Sequence, residues 1–351
     1  MPEKAIKSTK TAWKILYATV ILAGLVGGFV GFRVYRAFTQ PSVTALREFL
    51  HIPTGATYAD VLQTLRDGCI VRDVEAFDFV ARTMKYPDLV KPGRYRLTGG
   101  MTNRALVSKL RTGDRDAVRF RFQNIRLKEH FAGMLGRHFE ADSLAFSRML
   151  NDTALAASHG FTPDDFFCMF IPNTYEIHWN TPPEKIISRF RDEYHRFWNE
   201  RRRKKAARLN LTPQQVSVLA SIVKGEAMHV DEMPTIAGLY LNRLEKGIRL
   251  QADPTVIFAN NDFSIRRVLN KHLSIDHPYN TYRRAGLPPG PIMLPSIASI
   301  DAVLDHQKHD YIFMCAKDDF SGYHNFARTL AEHAANARKF QRALDERNIR
   351  K

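Results

Sequence analysis

The sequence predicts an α+β protein: a single N-terminal transmembrane helix, a small α+β module, and then a larger mixed α+β domain. Three observations carry this expectation. Residues 15–32 contain no charge and are rich in Ile, Leu, Val, Ala and Gly, a run just long enough for a helix to cross a hydrocarbon core. Beyond it, short apolar runs alternate with helix-start signals and Gly/Pro punctuation, as in mixed architectures. The length of 351 residues exceeds one average domain and suggests about two folded units.

The expected boundaries are a tail over residues 1–14, an anchor over 15–35, a linker over 36–45, a module over 46–114 and a larger region over 115–345 with its core at 212–335. Trp13 and Tyr17 stand at one end of the apolar run and Tyr35 just beyond the other, as interfacial residues do. Arg33 and Arg36 follow where a small-residue cleavage site would be needed, so the run reads as a retained anchor rather than a signal peptide. Lys4, Lys7, Lys10 and Lys14 precede the helix, against two arginines just after it. That bias puts the N-terminus in the cytoplasm and the bulk of the chain outside.

Composition narrows the function classes. Lys and Arg outnumber Asp and Glu by 52 to 36, a net charge of +16, which favours anionic partners. Much of the excess is diffuse, no nucleic-acid-binding module is recognisable, and an external location argues further against nucleic acid. Cys69, Cys168 and Cys315 are far apart, without CxxC spacing, so neither a disulfide scaffold nor a thiolate site is indicated. The 13 histidines include no HExxH pair. With no Walker A loop or dinucleotide fingerprint either, no metal and no cofactor is expected.

The elements follow in order. Residues 37–45 read as a short polar connector. Residues 49–52 read as a strand, and Thr57 can cap a helix over 58–66. A second helix covers 74–84, a strand 93–97, and a third helix runs from 103 to 110 with Gly113 as its stop. Residues 118–122 alternate apolar and basic side chains, as a half-exposed strand does. Helices are expected near 127–135, 142–149 and 183–198, with a compact Pro-punctuated segment at 170–177. The basic run 201–205 reads as a solvated helix face; it lacks the interleaved aromatics of a single-strand nucleic-acid groove. Helix 296–304, a strand at 311–315 and a charged final helix complete the chain.

The most distinctive chemistry lies around Glu226. Thr212, Pro213 and Gln215 make a strong helix start, with Thr212 as N-cap and Gln215 where a capping box needs it. Val216, Leu219, Ala220 and Val223 then recur at core-facing spacing, and Glu226 falls at the margin of that face. A carboxyl held among apolar groups has its ionised form disfavoured and its pKa raised. Such a group can serve as general acid to a glycosidic oxygen. Downstream, residues 250–257 and 279–282 supply Gln251, Asp253, Thr255, Asn280 and Tyr282. Neutral polar groups of this kind hold a sugar, and Tyr rings stack on one; Asp253-Pro254 can equally be a helix start. Three prolines and two glycines in residues 286–292 make a stiff loop of the kind that forms cleft walls.

These motifs resemble the YceG-like endolytic murein transglycosylases. The catalytic segment is Leu219-Ala220-Ser221-Ile222-Val223 with Glu226. It is joined by Asn242-Arg243-Leu244, Leu250-Gln251-Ala252-Asp253-Pro254-Thr255, Tyr279-Asn280-Thr281-Tyr282 and Gly286-Leu287-Pro288-Pro289-Gly290-Pro291-Ile292. Gly322, His324 and Phe326, then Glu332-His333, resemble the family's C-terminal signature; Phe170-Ile171-Pro172 with Thr174-Tyr175 resembles an upstream segment. Ile52-Pro53 with Gly55, and Gly93 with Tyr95, resemble its LysM-like module. Lys224 stands where many relatives carry another acid, which leaves Glu226 as the transferable catalytic position. Asn173 replaces a common Asp, and the usual Pro-Glu-Gly pattern near 118–127 is missing.

The resemblance implies a lyase that cleaves the MurNAc–GlcNAc bond of nascent peptidoglycan strands without water, leaves 1,6-anhydro-MurNAc ends and terminates elongation. Glu226 would act first as acid and then as base, with Gln251, Asp253, Thr255, Asn280, Tyr282 and His324 as substrate-binding residues. His324 is read either as a cleft-lining or as a structural histidine. The implied location is the cell inner membrane, single-pass, with the catalytic region extracytoplasmic; the implied partners are glycan strands, the membrane and peptidoglycan synthases. A water-using hydrolase with Asp253 as base, and a non-catalytic wall-binding scaffold, are the competing readings.

Overall fold

The structure, a computed structural model, describes residues 3–44 and 46–347, with side chains from residue 13 onward. The first two residues of the expected tail, and Ala45 at the end of the expected linker, lie outside the described residues. The chain divides into two compact units, Met1–Val118 with His178–Asn180, and Arg119–Ile177 with Thr181–Lys351. The architecture is mixed α+β.

In the first unit, helix α1 spans Glu3–Thr39. Within it, Trp13–Thr39 is apolar enough to cross a membrane, and none of its most apolar window is buried against protein. Strand β1 (Phe49–Ile52), helices α2 (Tyr58–Asp67) and α3 (Val74–Thr83), strand β2 (Gly93–Arg96) and helix α4 (Asn103–Thr112) follow. The two strands pair antiparallel, Leu50 opposite Tyr95 and Ile52 opposite Gly93. Thr57 and Asp60 form the capping box of α2, and Gly113 closes α4 at φ 75°, a left-handed conformation that favours glycine. Leu50, Ile52, Leu65, Phe77, Val80, Tyr95, Leu106 and Leu110 are buried together.

The polar connector expected at 37–45 is not a free loop. Helix α1 continues through Thr39, and Ala37 and Phe38 pack on the core of the module. Phe38 meets Phe79 edge-on at 6.4 Å. Two isolated bridges, Pro41 with Thr102 and Val43 with Val71, then tie the chain down. An apolar helix end offered a core face buries it, and that outweighs the local polarity of residues 39–42.

The second unit begins in strand β3 (Ala117–Arg121) and continues through α5 (Lys128–His138), α6 (Ser143–Leu150), α7 (Thr153–Ser158), β4 (Thr174–His178), α8 (Pro183–Phe197) and α9 (Glu200–Arg208). Strand β4, read from sequence only as a compact segment, pairs with β3. Phe120, Phe122, Phe131, Phe170, Tyr175 and Phe190 fill the space between these elements, with Phe122 stacked on Tyr175 at 5.6 Å.

Next come α10 (Pro213–Glu226), α11 (Met233–Glu245), α12 (Asp253–Ala259), α13 (Asn270–Leu273), α14 (Ile297–Leu304), β5 (Phe313–Ala316), β6 (His324–Ala327) and α15 (Leu330–Glu346). Helix α10 is the central beam, packed by α11, α12 and α14 and buried from Val216 to Val223. Strands β5 and β6 form an antiparallel hairpin that lies against α15. The basic run 201–205 is only partly a solvated face: Arg202 makes a two-point ion pair with Asp301 at 3.0 and 3.2 Å, and Lys205 pairs with Asp305. Both acids belong to α14 or its C-cap.

Candidate active site

Glu226 is the last residue of α10. The capping box of Thr212 and Gln215 starts the helix, and the apolar positions after it bury the helix against its neighbours. The carboxyl is thus delivered to the C-terminal end of a buried helix, where the helix dipole also disfavours a negative charge. Glu226 opens on a cavity of about 510 Å³, lined also by Tyr240, Arg243, Leu250, Gln251, Asp253, Tyr282, His324 and His333 together with strand β5.

Several groups act on the Glu226 proton. Burial pushes its pKa up from 4.5 to about 7, the largest effect. A hydrogen bond donated by Tyr240 Oη to Glu226 Oε1, 2.7 Å long, works against that rise, as does a backbone hydrogen bond from Asp253; the Asp253 charge adds to it. Tyr240 is 1 % exposed, and burial with the adjacent Glu226 holds its phenol well above the usual range, so it remains a donor.

Asp253 begins α12 and is more open to solvent than Glu226. Tyr282 Oη donates to Asp253 Oδ1 at 2.6 Å. Partial burial still holds the Asp253 carboxyl above its ordinary value, against that hydrogen bond. The first turn of α12 comes this close because residue 225 is glycine: a Cβ there would lie 2.8 Å from Pro254 Cβ, inside van der Waals contact.

Gln251 adopts φ 53°, a left-handed conformation that costs about 1–3 kcal/mol for such a residue. Arg243 holds it there. Its Nη1 donates to Gln251 Oε1 at 3.1 Å and to the carbonyls of Arg249 and Leu250 at 2.9 and 2.8 Å, while Nε donates to the Ile312 carbonyl at 2.6 Å. Arg243 is 6 % exposed, so one buried guanidinium joins α11, the 249–251 turn and the chain entering β5. Its neighbour Asn242 donates to the carbonyls of His309 and Tyr311.

The structure brings Glu226, Gln251, Asp253, Tyr282 and His324 to one cavity. His324 both lines it and is fixed, with Nδ1 2.8 Å from Glu232 Oε2 and its backbone N–H donating to Glu232 Oε1. Thr255 and Asn280 are not brought to the cavity. Thr255 is fully buried, bonded to the Ala252 carbonyl and Thr281 Oγ1. Asn280 is fully buried, donating to the carbonyls of Leu273 and Ile275. Asn280 satisfies two loop carbonyls, and Thr255 ties the start of α12 to Thr281, so they shape the walls from behind. The Pro/Gly loop 286–292 is not a wall of this cavity either. Leu287, Pro288 and Pro289 line a separate hollow with Thr212 and Gln215 at the other end of α10, and Ile292 N–H donates to Ser221 Oγ. Sequence reasoning missed Tyr240 and Glu232. Tyr240 lies three residues before Arg243, one helical turn apart, but nothing local marks its partner on α10.

Comparison with known proteins bears on the family of the chain. The YceG-like family matches residues 50–339. A Bacillus subtilis (strain 168) protein named endolytic murein transglycosylase is 27 % identical over 317 residues, 85 % of this chain and 86 % of the relative. A protein of the same name from Streptococcus pneumoniae (strain R6) is 23 % identical over 88 % of this chain, which spans 62 % of that relative's length. The solved structure of a YceG-like protein from Listeria monocytogenes shares the fold, with a TM-score of 0.57 and 24 % identity over 82 % of this chain and 97 % of that one. Matched from its first strand to its final helix, this chain belongs to the YceG-like family.

Proposed function

We propose that this protein is an endolytic murein transglycosylase, held at the plasma membrane by α1 with its N-terminus cytoplasmic and its catalytic unit outside. The observation that carries the reading is the Glu226 carboxyl, raised to about 7 within a cavity of polar and aromatic groups. Relatives bearing that name over 85 % and 88 % of this chain support it.

The chemistry balances without water. Protonated Glu226 gives its proton to the glycosidic oxygen between MurNAc and GlcNAc as the C1–O bond breaks. The resulting carboxylate takes the proton of the muramyl 6-hydroxyl as that oxygen closes onto C1. The product is a 1,6-anhydro-MurNAc end, and Glu226 is protonated again. Tyr240 positions the carboxyl, and Gln251, Asp253, Tyr282 and His324 hold the sugars. Thr255 and Asn280 act through the walls. Cleavage within nascent strands terminates elongation, work suited to a place beside a peptidoglycan synthase. The first module, ordered strand–helix–helix–strand, is read as LysM-like.

Asp253 in the same cavity favours one alternative, a hydrolase in which Asp253 activates water. Mass spectrometry of muropeptides separates the two. The protein lacking residues 1–32 is incubated with nascent, uncross-linked peptidoglycan beside Glu226→Gln. Anhydro ends from the unsubstituted protein and loss of at least about 100-fold of the rate in the variant are expected. Reducing muramyl ends would move the assignment to hydrolysis, and normal cleavage by Glu226→Gln would remove Glu226 from the site.

A further inference from the structure

A second hollow, of about 250 Å³, lies in the first unit where α1 reaches the module. Arg33, Arg36, Gln40, Arg72, Asp73 and Asn103 are among its lining residues. We propose that it binds the headgroup of an anionic phospholipid carrying a phosphodiester and a free hydroxyl, as phosphatidylglycerol does.

Depth is the first argument. The uncharged run of α1 ends at Phe32. At 1.5 Å per residue, Arg33 and Arg36 stand about 2 and 6 Å beyond it, the depth of lipid phosphates. The side of α1 facing the bilayer is free for acyl chains, since the most apolar window is not buried by protein.

Charge is the second. Arg33, Arg36 and Arg72 form no ion pair among the described residues. Arg36 Nε donates to Gln40 Oε1 at 2.9 Å, and its terminal nitrogens have no hydrogen-bond partner among the described residues. Asp73 is the one carboxylate in the lining among the described residues, and its Oδ1 already caps α3 through Ala76 N–H. Three guanidiniums against one carboxylate leave a net positive hollow, and guanidinium geometry suits phosphate oxygens.

The third argument points to the hydroxyl. Asn103 is 3 % exposed. Its Nδ2 donates to the Ala37 carbonyl at 3.1 Å, which fixes the orientation of the amide. Its Oδ1 is buried without a partner among the described residues. A buried acceptor needs a donor, and a phosphodiester has none. A headgroup hydroxyl supplies it; an ammonium would do so only against the surrounding arginines.

The test is native mass spectrometry of the full-length protein, delipidated in an uncharged detergent. It is titrated with phosphatidylglycerol, phosphatidylmethanol, phosphatidylethanolamine and phosphatidylcholine of identical acyl chains, and with soluble glycerophosphoglycerol. Phosphatidylglycerol should bind at least about ten-fold tighter than phosphatidylcholine or phosphatidylethanolamine, and tighter than phosphatidylmethanol, which has the phosphodiester but no hydroxyl. Exposed Arg72 makes no side-chain hydrogen bond among the described residues, so Arg72→Gln leaves the fold alone; it should weaken phosphatidylglycerol about five-fold. Arg208→Gln, in the basic helix of the second unit, should change nothing. Equal binding of phosphatidylglycerol and phosphatidylcholine, or indifference to Arg72→Gln, overturns the site. Equal binding of phosphatidylmethanol overturns the role of the hydroxyl. Equal affinity for the soluble headgroup makes the ligand a free phosphodiester and not a lipid.

Discussion

At the scale of a residue, Glu226 shows how stability and proposed activity oppose one another. Burial raises its pKa from 4.5 to about 7, which keeps it protonated where a general acid must be. A raised carboxyl pKa means that the stability is fully present below about 4.5 and is lost as pH rises through about 7. The shift amounts to about 3 kcal/mol at 1.36 kcal/mol per unit. Glu226→Gln keeps an acceptor for Tyr240 and removes the charge. Its melting temperature should exceed that of the unsubstituted protein at pH 8 by roughly 6–10 °C, and the gap should close near pH 4.5; calorimetry at the two pH values checks this. Cleavage by the unsubstituted protein should fall as pH rises through about 7. The Tyr240 hydrogen bond holds the Glu226 pKa down, so Tyr240→Phe should move that limb to higher pH while reducing kcat about ten-fold through lost positioning. A pH profile of kcat/KM would reveal both, and an unmoved limb would exclude Tyr240 from this role. The burial of the Glu226 carboxyl at the end of α10 was legible from the apolar spacing of its helix. Tyr240 was not, because its meaning lies in the approach of α11 to α10, which no local pattern encodes.

At the scale of an element, the important contact is the one between the end of α10 and the first turn of α12. Gly225 is in an ordinary helix, where alanine is preferred by about 1 kcal/mol. Here its missing side chain admits Pro254, and with it the Asp253 backbone bonded to Glu226. Gly225→Ala should push α12 outward by a few tenths of an ångström. The propensity gain and the clash roughly offset, so the melting temperature should change by only a few degrees while kcat falls about 10- to 100-fold. Kinetics and a melting curve on the same preparation check the split; an equal loss in both would make Gly225 merely structural. Elements with their own start signals were legible: Thr57 before α2 and Thr212 before α10 both cap as the sequence indicates. Strand β4 was hidden because a strand is defined by its partner, β3. Thr255 and Asn280 read as sugar-binding groups because exposed and buried polar residues look alike in sequence. Only the folded chain shows their hydrogen bonds closing on backbone.

At the scale of the whole molecule, the apolar helix α1 and the first module are continuous. Composition sufficed to find the apolar helix, since a bilayer core imposes a length and an absence of charge. It did not reveal where the helix begins to belong to the module, because Ala37 and Phe38 suit a lipid tail and a protein core equally well. Their packing on the module, and the Val43–Val71 bridge, make residues 37–44 part of the folded unit. Val43 is 3 % exposed, and burying a valine contributes about 1.5–3 kcal/mol. Removing residues 1–44 should therefore lower the melting temperature of the first unit by roughly 10 °C relative to removing residues 1–32. Amide hydrogen exchange should show the loss first in β1 and β2, whose apolar residues share that core, while α10 keeps its protection. Equal protection of β1 and β2 in the two shortened proteins would mean that the module is complete without the helix end, and that α1 serves it as a tether alone.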